Sequence, residues 1–333
     1  MSVLSRQVLI PEIAAEVLQG LSSDPKWLCP KLFYDAQGSA MFEEITALPE
    51  YYLTRTEQQI LEDHAGEMLA QAGKGLSLVE LGAGSARKTS VLIRALFQQQ
   101  SGVLYYPIDV SPAALHAASG RLRESFPGLA LRPIVADYSR DMAALRQVPG
   151  RKLVLYIGSS IGNFEPDQAT LLLARLRARL GAGDALLLGV DLRKDPSVLL
   201  PAYDDAQGVT ACFNKNILAR INRELGGEFD LELFRHVALW NSEMSRMEIY
   251  LESLVRQEVR IRLLARKFCF AAGERLHTEN SYKYTDESAR RLLESGGFLL
   301  ERTWKDAREW FAVHLARANG KAPDSLPRPF ALD

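Results

Sequence analysis

Leu78–Thr89 reads LVELGAGSARKT, and what this glycine turn holds decides the fold. Against the phosphate-cradling template G-x-x-x-x-G-K-[ST] it matches at Gly82, Lys88 and Thr89, but Arg87 stands where the second glycine belongs. That glycine lets the main chain curl until several N–H groups converge on one anion, and a side chain at Arg87 opposes the curl. The stretch reads instead as a strand, then a turn at Gly82 and Gly84 where a nucleoside can approach the backbone closely, then a helix.

Outward from that turn, short apolar runs alternate with helical patterns. LSLVELG, VLYYPIDVS, ALRPIVADYS, KLVLYIGSS and ALLLGVDL lack polar alternation, and KTSVLIRALFQQ, PAALHAASGRLRESF and QATLLLARLRARL separate them. Strands of that texture belong to a parallel sheet covered on both faces, so the reading is a doubly wound α/β domain. After Asp191 two helical stretches lead into LFRHVALWN, RMEIYLESLV and EVRIRLLARKFCF, which alternate as an antiparallel sheet with one wet face. TDESARRLLESGGF is a capped helix, and FLLERTWKD with EWFAVHLARA is a strand pair suited to completing the first sheet. The expected division is an α/β domain over 57–194 and 284–320, with an inserted α+β domain over 1–56 and 195–283.

Three acids sit at or near successive strand ends: Glu80 before the turn, Asp109 in YYPIDVS and Asp137 in VADYS. An acid at the end of the second strand suits ribose hydroxyls, and one at the end of the third can accept from the exocyclic amine of adenine. Acids at strand ends can also be merely solvated. In this order they suit a cationic, phosphate-free adenosine ligand such as S-adenosyl-L-methionine, whereas a dinucleotide would bring its pyrophosphate against an acidic turn. Lys88 is then placed for the methionyl carboxylate or is a surface lysine.

Composition agrees with a small-molecule partner. Of 333 residues 47% are apolar, and 40 Lys and Arg nearly balance 41 Asp and Glu, so no basic excess argues for nucleic acid. Cys29, Cys212 and Cys269 show no metal-ligand or redox spacing, and no metal is expected. MSVLSRQVLIPEIAAEVLQG reads as no signal peptide, and no segment has membrane-spanning length, so a cytoplasmic protein is expected.

FYDAQGSAMFEEITALPEYYLTRTE (33–57), LVELGAGSARKT, YIGSSIGNF (156–164) and LHTENSYKY (276–284) resemble the histidine N-alpha-methyltransferases of ergothioneine biosynthesis. The resemblance runs over almost the whole chain. It implies a class I methyltransferase, Rossmann-like sheet carrying a substrate-binding domain, three S-adenosylmethionines consumed per L-histidine, and the trimethyl betaine hercynine as product. A monomer acting on a free amino acid, without nucleic acid or membrane, is expected.

Carried over residue by residue, the resemblance assigns the cofactor to Gly82, Lys88, Asp109, Asp137 and Tyr138. It assigns histidine to Tyr51, Asn163, Tyr203, Glu279 and Ser281, with Tyr34 a further polar neighbour of the amine. Asn163 offers a donor and an acceptor to the amino and carboxylate groups, and Tyr203 a donor to the carboxylate. Glu279 accepts from one imidazole nitrogen while Ser281 donates to the other. Tyr34 or Tyr51 is the expected route for the amine proton. Each has a plainer reading: Glu279 and Ser281 on the wet face of a strand, Tyr51 a core aromatic, Asn163 a helix N-cap. His116, His236, His277 and His314 read as structural, His277 being close to the pocket motif. The family often has methionine where Ile249 stands and an apolar residue at Asn280; neither departure removes a hydrogen-bonding group. Rival readings are a methyltransferase of tryptophan or arginine, a non-catalytic adenosine-ligand sensor and, more distantly, a nucleoside triphosphatase.

Overall fold

A computed structural model describes residues 3–318, with side chains from Ile13 onward. The expected bounds at residues 1 and 320, and the first two residues of the segment read as lacking a leader, lie outside the described residues. In chain order, helices α1 (Val3–Ser22), α2 (Ala36–Ala47) and α3 (Tyr52–Ala72) precede β1 (Leu76–Leu81), α4 (Thr89–Phe97), β2 (Val103–Asp109), α5 (Pro112–Ser125), β3 (Leu129–Leu131) and β4 (Ile134–Val135). Next come β5 (Arg151–Tyr156), α6 (Pro166–Arg177), β6 (Ala185–Asp191), α7 (Pro196–Tyr203) and α8 (Val209–Leu225). The chain continues through β7 (Phe234–Asn241), β8 (Arg246–Ser253), β9 (Gln257–Ile261), β10 (Arg266–Phe270) and β11 (Arg275–Tyr282) to α9 (Asp286–Ser295), β12 (Phe298–Lys305) and β13 (Phe311–Ala318).

Two compact units result: one of the chain up to Tyr52 with Lys194–Ser281, the other of Leu53–Arg193 with the chain from Tyr282 on. The second unit thus begins at Leu53 where 57 was expected, and resumes at Tyr282 where 284 was. Helix α3 runs unbroken across the first of these positions, which leaves no local stop signal in the sequence to mark it.

The larger unit is built on one eight-stranded sheet in the order β12-β13-β6-β5-β1-β2-β3, with β4 also pairing to β2. Strands β6, β5, β1, β2 and β3 are parallel neighbours, and β13 runs antiparallel to both β6 and β12. Every residue of β1 and β6 is buried, which is why neither alternates in polarity. One face of the sheet packs Val154, Leu186 and Leu188 against Leu172 and Leu173 of α6 and Leu293 of α9. The order reverses between β5 and β1, and that reversal opens a crevice beyond the C-terminal ends of the two strands. Expected as one strand, ALRPIVADYS is two short ones, because Pro133 has no N–H to give the ladder. Asp137 therefore follows a two-residue strand.

The chain leaves this unit after β6 and re-enters it beside the same strand. Arg193 N–H donates to the Tyr284 carbonyl (2.8 Å) and Tyr284 N–H to that of Asp191 (2.9 Å).

In the smaller unit, α8 buries Phe213, Ile217, Ile221 and Leu225, one stripe at helical spacing. They join Val17, Leu21 and Phe33 and the strand residues Phe234, Leu251 and Phe270 in a separate core. Asp35 caps α2 by accepting from Gly38 N–H at 2.7 Å, a contact of about 1 kcal/mol. The strands form a three-stranded sheet, β11-β8-β7, and a two-stranded one, β10-β9. EVRIRLLARKFCF, expected as one segment, is the β9–β10 hairpin: a 3-10 turn at Arg262–Leu264 reverses the chain and Ala265 takes the left-handed conformation (φ 49°) that usually falls to glycine.

Candidate active site

The glycine turn is at the C-terminal end of β1, beside the crevice. Gly82 (φ 74°) and Gly84 (φ 50°) are both left-handed, a conformation their lack of a Cβ permits. Gly82 and Ala83 N–H both donate to the Ile108 carbonyl, at 2.8 and 3.1 Å, which ties the turn to β2. Among the described residues no atom beyond its chain neighbours lies within 4 Å of where a Cβ on Gly84 would be, and the Tyr138 hydroxyl is 3.5 Å from the corresponding point on Gly82. The turn therefore leaves main chain open to a ligand, with Tyr138 beside it. Burial, then the nearby Asp109 and Asp137 carboxylates, push the Tyr138 phenol up to about 12, so it remains a donor at neutral pH. Its ring meets that of Tyr156 edge-on, with centroids 5.7 Å apart.

The three acids have different surroundings. Asp109 is nearly buried and accepts one N–H on each oxygen, from Gly84 (2.8 Å) and Ser111 (2.8 Å). Burial raises its pKa against the lowering effect of those N–H groups. Two carboxylate oxygens offer about four acceptor sites, so Asp109 can still accept from a hydroxyl. Asp137 accepts from Ser139 N–H (3.0 Å) and Oγ–H (2.5 Å), with Arg140 at 3.6 Å from its other oxygen. Glu80 differs from the expectation of an acid facing ligand. It is 2% exposed, accepts from Thr89 Oγ1–H at 2.7 Å and bonds the Tyr105 hydroxyl. Burial lifts its pKa to about 7, against the lowering effect of Tyr105, Thr89 and Lys88. Glu80 is an internal brace between β1, β2 and α4, which also gives Thr89 its role.

Lys88 pairs with Glu57, a residue of α3 that is 0% exposed. Gly158 N–H, just past β5, donates to both Glu57 oxygens at 2.9 Å. A Cβ on Gly189 in β6 would lie 2.0 Å from Glu57 Oε1, so this close approach requires glycine there. Sequence reading gave Glu57 no role beyond its place at the end of the stretch 33–57. The one available signal was the glycine inside ALLLGVDL, which marks a close approach without naming what approaches.

Asn163 ends the 3-10 turn Ser160–Asn163 after β5. It is not the N-cap of α6; Glu165 is, in a reciprocal capping box with Gln168.

In the smaller unit, the Tyr203 hydroxyl and Ser281 Oγ, both buried, are 2.8 Å apart. The wet-face alternative for Ser281 thereby falls, while Glu279, two residues earlier on β11, is half-buried. Tyr34 and Tyr51 each meet Phe42 edge-on, at 5.7 and 6.2 Å between centroids. Ile249 is buried in β8, and its carbonyl accepts from Thr278 at 3.1 Å. Asn280 Oδ1 lies 2.9 Å from His277 Nε2. Among the described residues no group of three or more His, Cys, Asp or Glu is placed to hold a metal ion, and no helix is long and apolar enough to cross a membrane.

A parallel sheet ending in a reversed hairpin, with an open glycine turn and carboxylates beside its switch-point crevice, defines a class I methyltransferase. The sequence model of the family described as "Histidine-specific methyltransferase, SAM-dependent" matches residues 13–318, and the chain belongs to that family. It is 42% identical over 313 residues to the histidine N-alpha-methyltransferase of Mycolicibacterium smegmatis, covering 92% of this chain and 97% of that protein. It is also 30% identical over 324 residues to ergothioneine biosynthesis protein 1 of Neurospora crassa, covering 92% of this chain and 35% of that protein. Among solved structures, an S-adenosylmethionine-dependent methyltransferase from Clostridium acetobutylicum aligns at a TM-score of 0.48 and 14% identity, over 84% of this chain and 99% of that one.

Proposed function

We infer that the protein transfers methyl groups from S-adenosyl-L-methionine to the α-amino nitrogen of L-histidine, three in succession, making hercynine for ergothioneine biosynthesis. The cofactor's sulfonium supplies the methyl: the N–C bond forms as the C–S bond breaks, and S-adenosylhomocysteine departs. Lys88 suits the cofactor's carboxylate, Asp109 its ribose hydroxyls, and Asp137 with Tyr138 its adenine end, Gly82 leaving space for the chain between them.

For the amino acid, Glu279 accepts from one imidazole N–H and Ser281 donates to the other ring nitrogen. The Tyr203–Ser281 bond supports this reading and refines it. A phenol has one proton, so a Tyr203 that donates to Ser281 sets the direction of the Ser281 hydroxyl and leaves the carboxylate to other donors. Asn163, with a donor and an acceptor in one amide, suits the carboxylate and amine together. A free α-amino group is mostly protonated at neutral pH, its pKa being about 8. Before each transfer its proton leaves to solvent, by way of Tyr34, Tyr51 or a bound water as relay. The tyrosine rings also tolerate the growing ammonium. Most of the acceleration comes from holding nitrogen, methyl and sulfur in line, an effect of roughly 7–11 kcal/mol when orientation is good.

The observation that carries this reading is the family match, which spans both the glycine turn and β11. The test is incubation with S-adenosylmethionine and a mixture of free amino acids, read by mass spectrometry for gains of one, two or three methyls. Histidine alone should advance to the trimethyl product, with undiminished yield in the presence of a chelator and a monomeric elution volume. Methylation of tryptophan or arginine in its place rejects the substrate, and no turnover at all rejects the enzyme.

A further inference from the structure

Glu57 is a fully buried acid that the reading above leaves unused. Its carboxylate lies where three parallel strands end: against Gly189 in β6, under Gly158 after β5, and on Lys88 in the loop after β1. A carboxylate taken fully out of water persists only where hydrogen bonds and a counter-charge replace its hydration. Here a main-chain N–H and one ammonium do so. The same contact holds the ammonium in place, because Lys88 otherwise has a flexible four-carbon stem and no fixed direction. A Cβ on Gly158 would lie 3.3 Å from Lys88 Nζ, so the ammonium lies over the backbone that follows β5, at the β5–β1 reversal where open α/β sheets take their ligands.

We propose that Glu57 is the positioning residue for the amino-acid end of the cofactor, acting through Lys88. The inference rests on the reading that Lys88 meets the cofactor's carboxylate. An ammonium has three N–H donors; the Glu57 contact takes one and orients the others toward an anion in the crevice. Glutamine at position 57 carries no charge and puts an NH2 where one carboxylate oxygen stood, against Gly158 N–H or the Lys88 ammonium, so the ion pair is lost and the lysine is released.

The test compares two ligands by titration calorimetry: S-adenosylhomocysteine and 5′-methylthioadenosine, which keeps the adenosine and thioether but lacks the amino-acid end. Glu57→Gln and Lys88→Met should each lower the preference for S-adenosylhomocysteine about ten-fold, with 5′-methylthioadenosine affinity held within about two-fold, and the double variant should lose no more than either single one. A Glu57→Gln protein that keeps its preference while Lys88→Met loses it overturns the proposal and leaves Lys88 in its role. Equal weakening of both ligands by Glu57→Gln also overturns it, since a scaffold role does that. An unchanged preference in Lys88→Met sinks the reading of Lys88 and the proposal with it. Should Glu57→Gln not fold, Glu57→Asp, which keeps the charge and retracts it by one methylene, is read by the same criteria.

Discussion

The Nε2 of His236 lies 2.7 Å from the carbonyl oxygen of Tyr203, the last residue of α7. A carbonyl only accepts, so Nε2 carries the proton and Nδ1 is the acceptor for the Asn214 amide at 2.9 Å. Asn214 Oδ1 in turn accepts from Thr278 Oγ1–H at 2.8 Å. This chain of bonds satisfies a carbonyl that the end of a helix would leave unpaired, and through it fixes the residue whose hydroxyl bonds Ser281. His236→Ala is expected to raise KM for histidine about ten-fold with a smaller change in kcat, and to cost about 1–3 kcal/mol of stability. Burial holds the His236 pKa below the ordinary imidazole range, so its contribution is complete above pH 6.5 and is lost as pH falls through the lowered value. Denaturation midpoints of the wild type and the variant should therefore converge in acid; a difference independent of pH rejects the account.

Glu80 titrates in the opposite sense. Its pKa is raised from 4.5 to about 7 by burial, so the folded state holds a proton that the unfolded chain has released. Stability from this group is complete below pH 4.5 and is lost as pH rises through about 7. Glu80→Gln keeps the shape and offers an acceptor and a donor to the Thr89 and Tyr105 hydroxyls without a buried charge. Its stability relative to wild type should rise with pH across that window, by up to roughly 3 kcal/mol, and level off above it. Chemical denaturation at a series of pH values reads the difference directly, and a flat profile means that Glu80 stays ionised.

Tyr203 and Ser281 can be separated by a ligand that keeps only one end of histidine. If Tyr203 orients Ser281 toward the ring, Tyr203→Phe weakens inhibition by histamine, which lacks the carboxylate, about as much as it weakens histidine binding, by roughly ten-fold for one lost hydrogen bond. If Tyr203 instead serves the carboxylate, histamine inhibition is unmoved.

How much of this was legible depends on the range of the cause. The parallel sheet was readable because strands covered on both faces write their burial into contiguous apolar runs, as in KLVLYIG and ALLLGVDL. Helix α9 was readable because Thr285 and Gly296 punctuate it locally. Glu57 was not, since its burial is decided by Gly158, 101 residues away, and by a strand glycine further still. Glu80 was misread for a similar reason: its partner Tyr105 belongs to the neighbouring strand, where β1 and β2 align Leu78 with Tyr105. The β9–β10 reversal escaped because Ala265 adopts a conformation that sequence signals assign to Gly or Asn.

Lys283 and Asp191 show what holds the re-entry of the chain in place. Their charged atoms are 2.8 Å apart and both side chains are 0% exposed. Asp191 ends β6, and its main-chain N–H donates to Ser159 Oγ while its carbonyl takes Tyr284 N–H. The ion pair thus closes the point where Tyr282–Tyr284 returns beside the strand that the chain left. Removing one partner strands the other charge in a dry site, so Lys283→Met should cost about 3–5 kcal/mol, as should Asp191→Ala. The Asp191→Ala/Lys283→Met double variant removes both charges from this site and should recover a substantial part of that loss, with a coupling of about 1–3 kcal/mol in a double-mutant cycle measured by urea denaturation. Additive losses would mean that the two residues act through separate contacts and that the return segment is held by its backbone bonds alone.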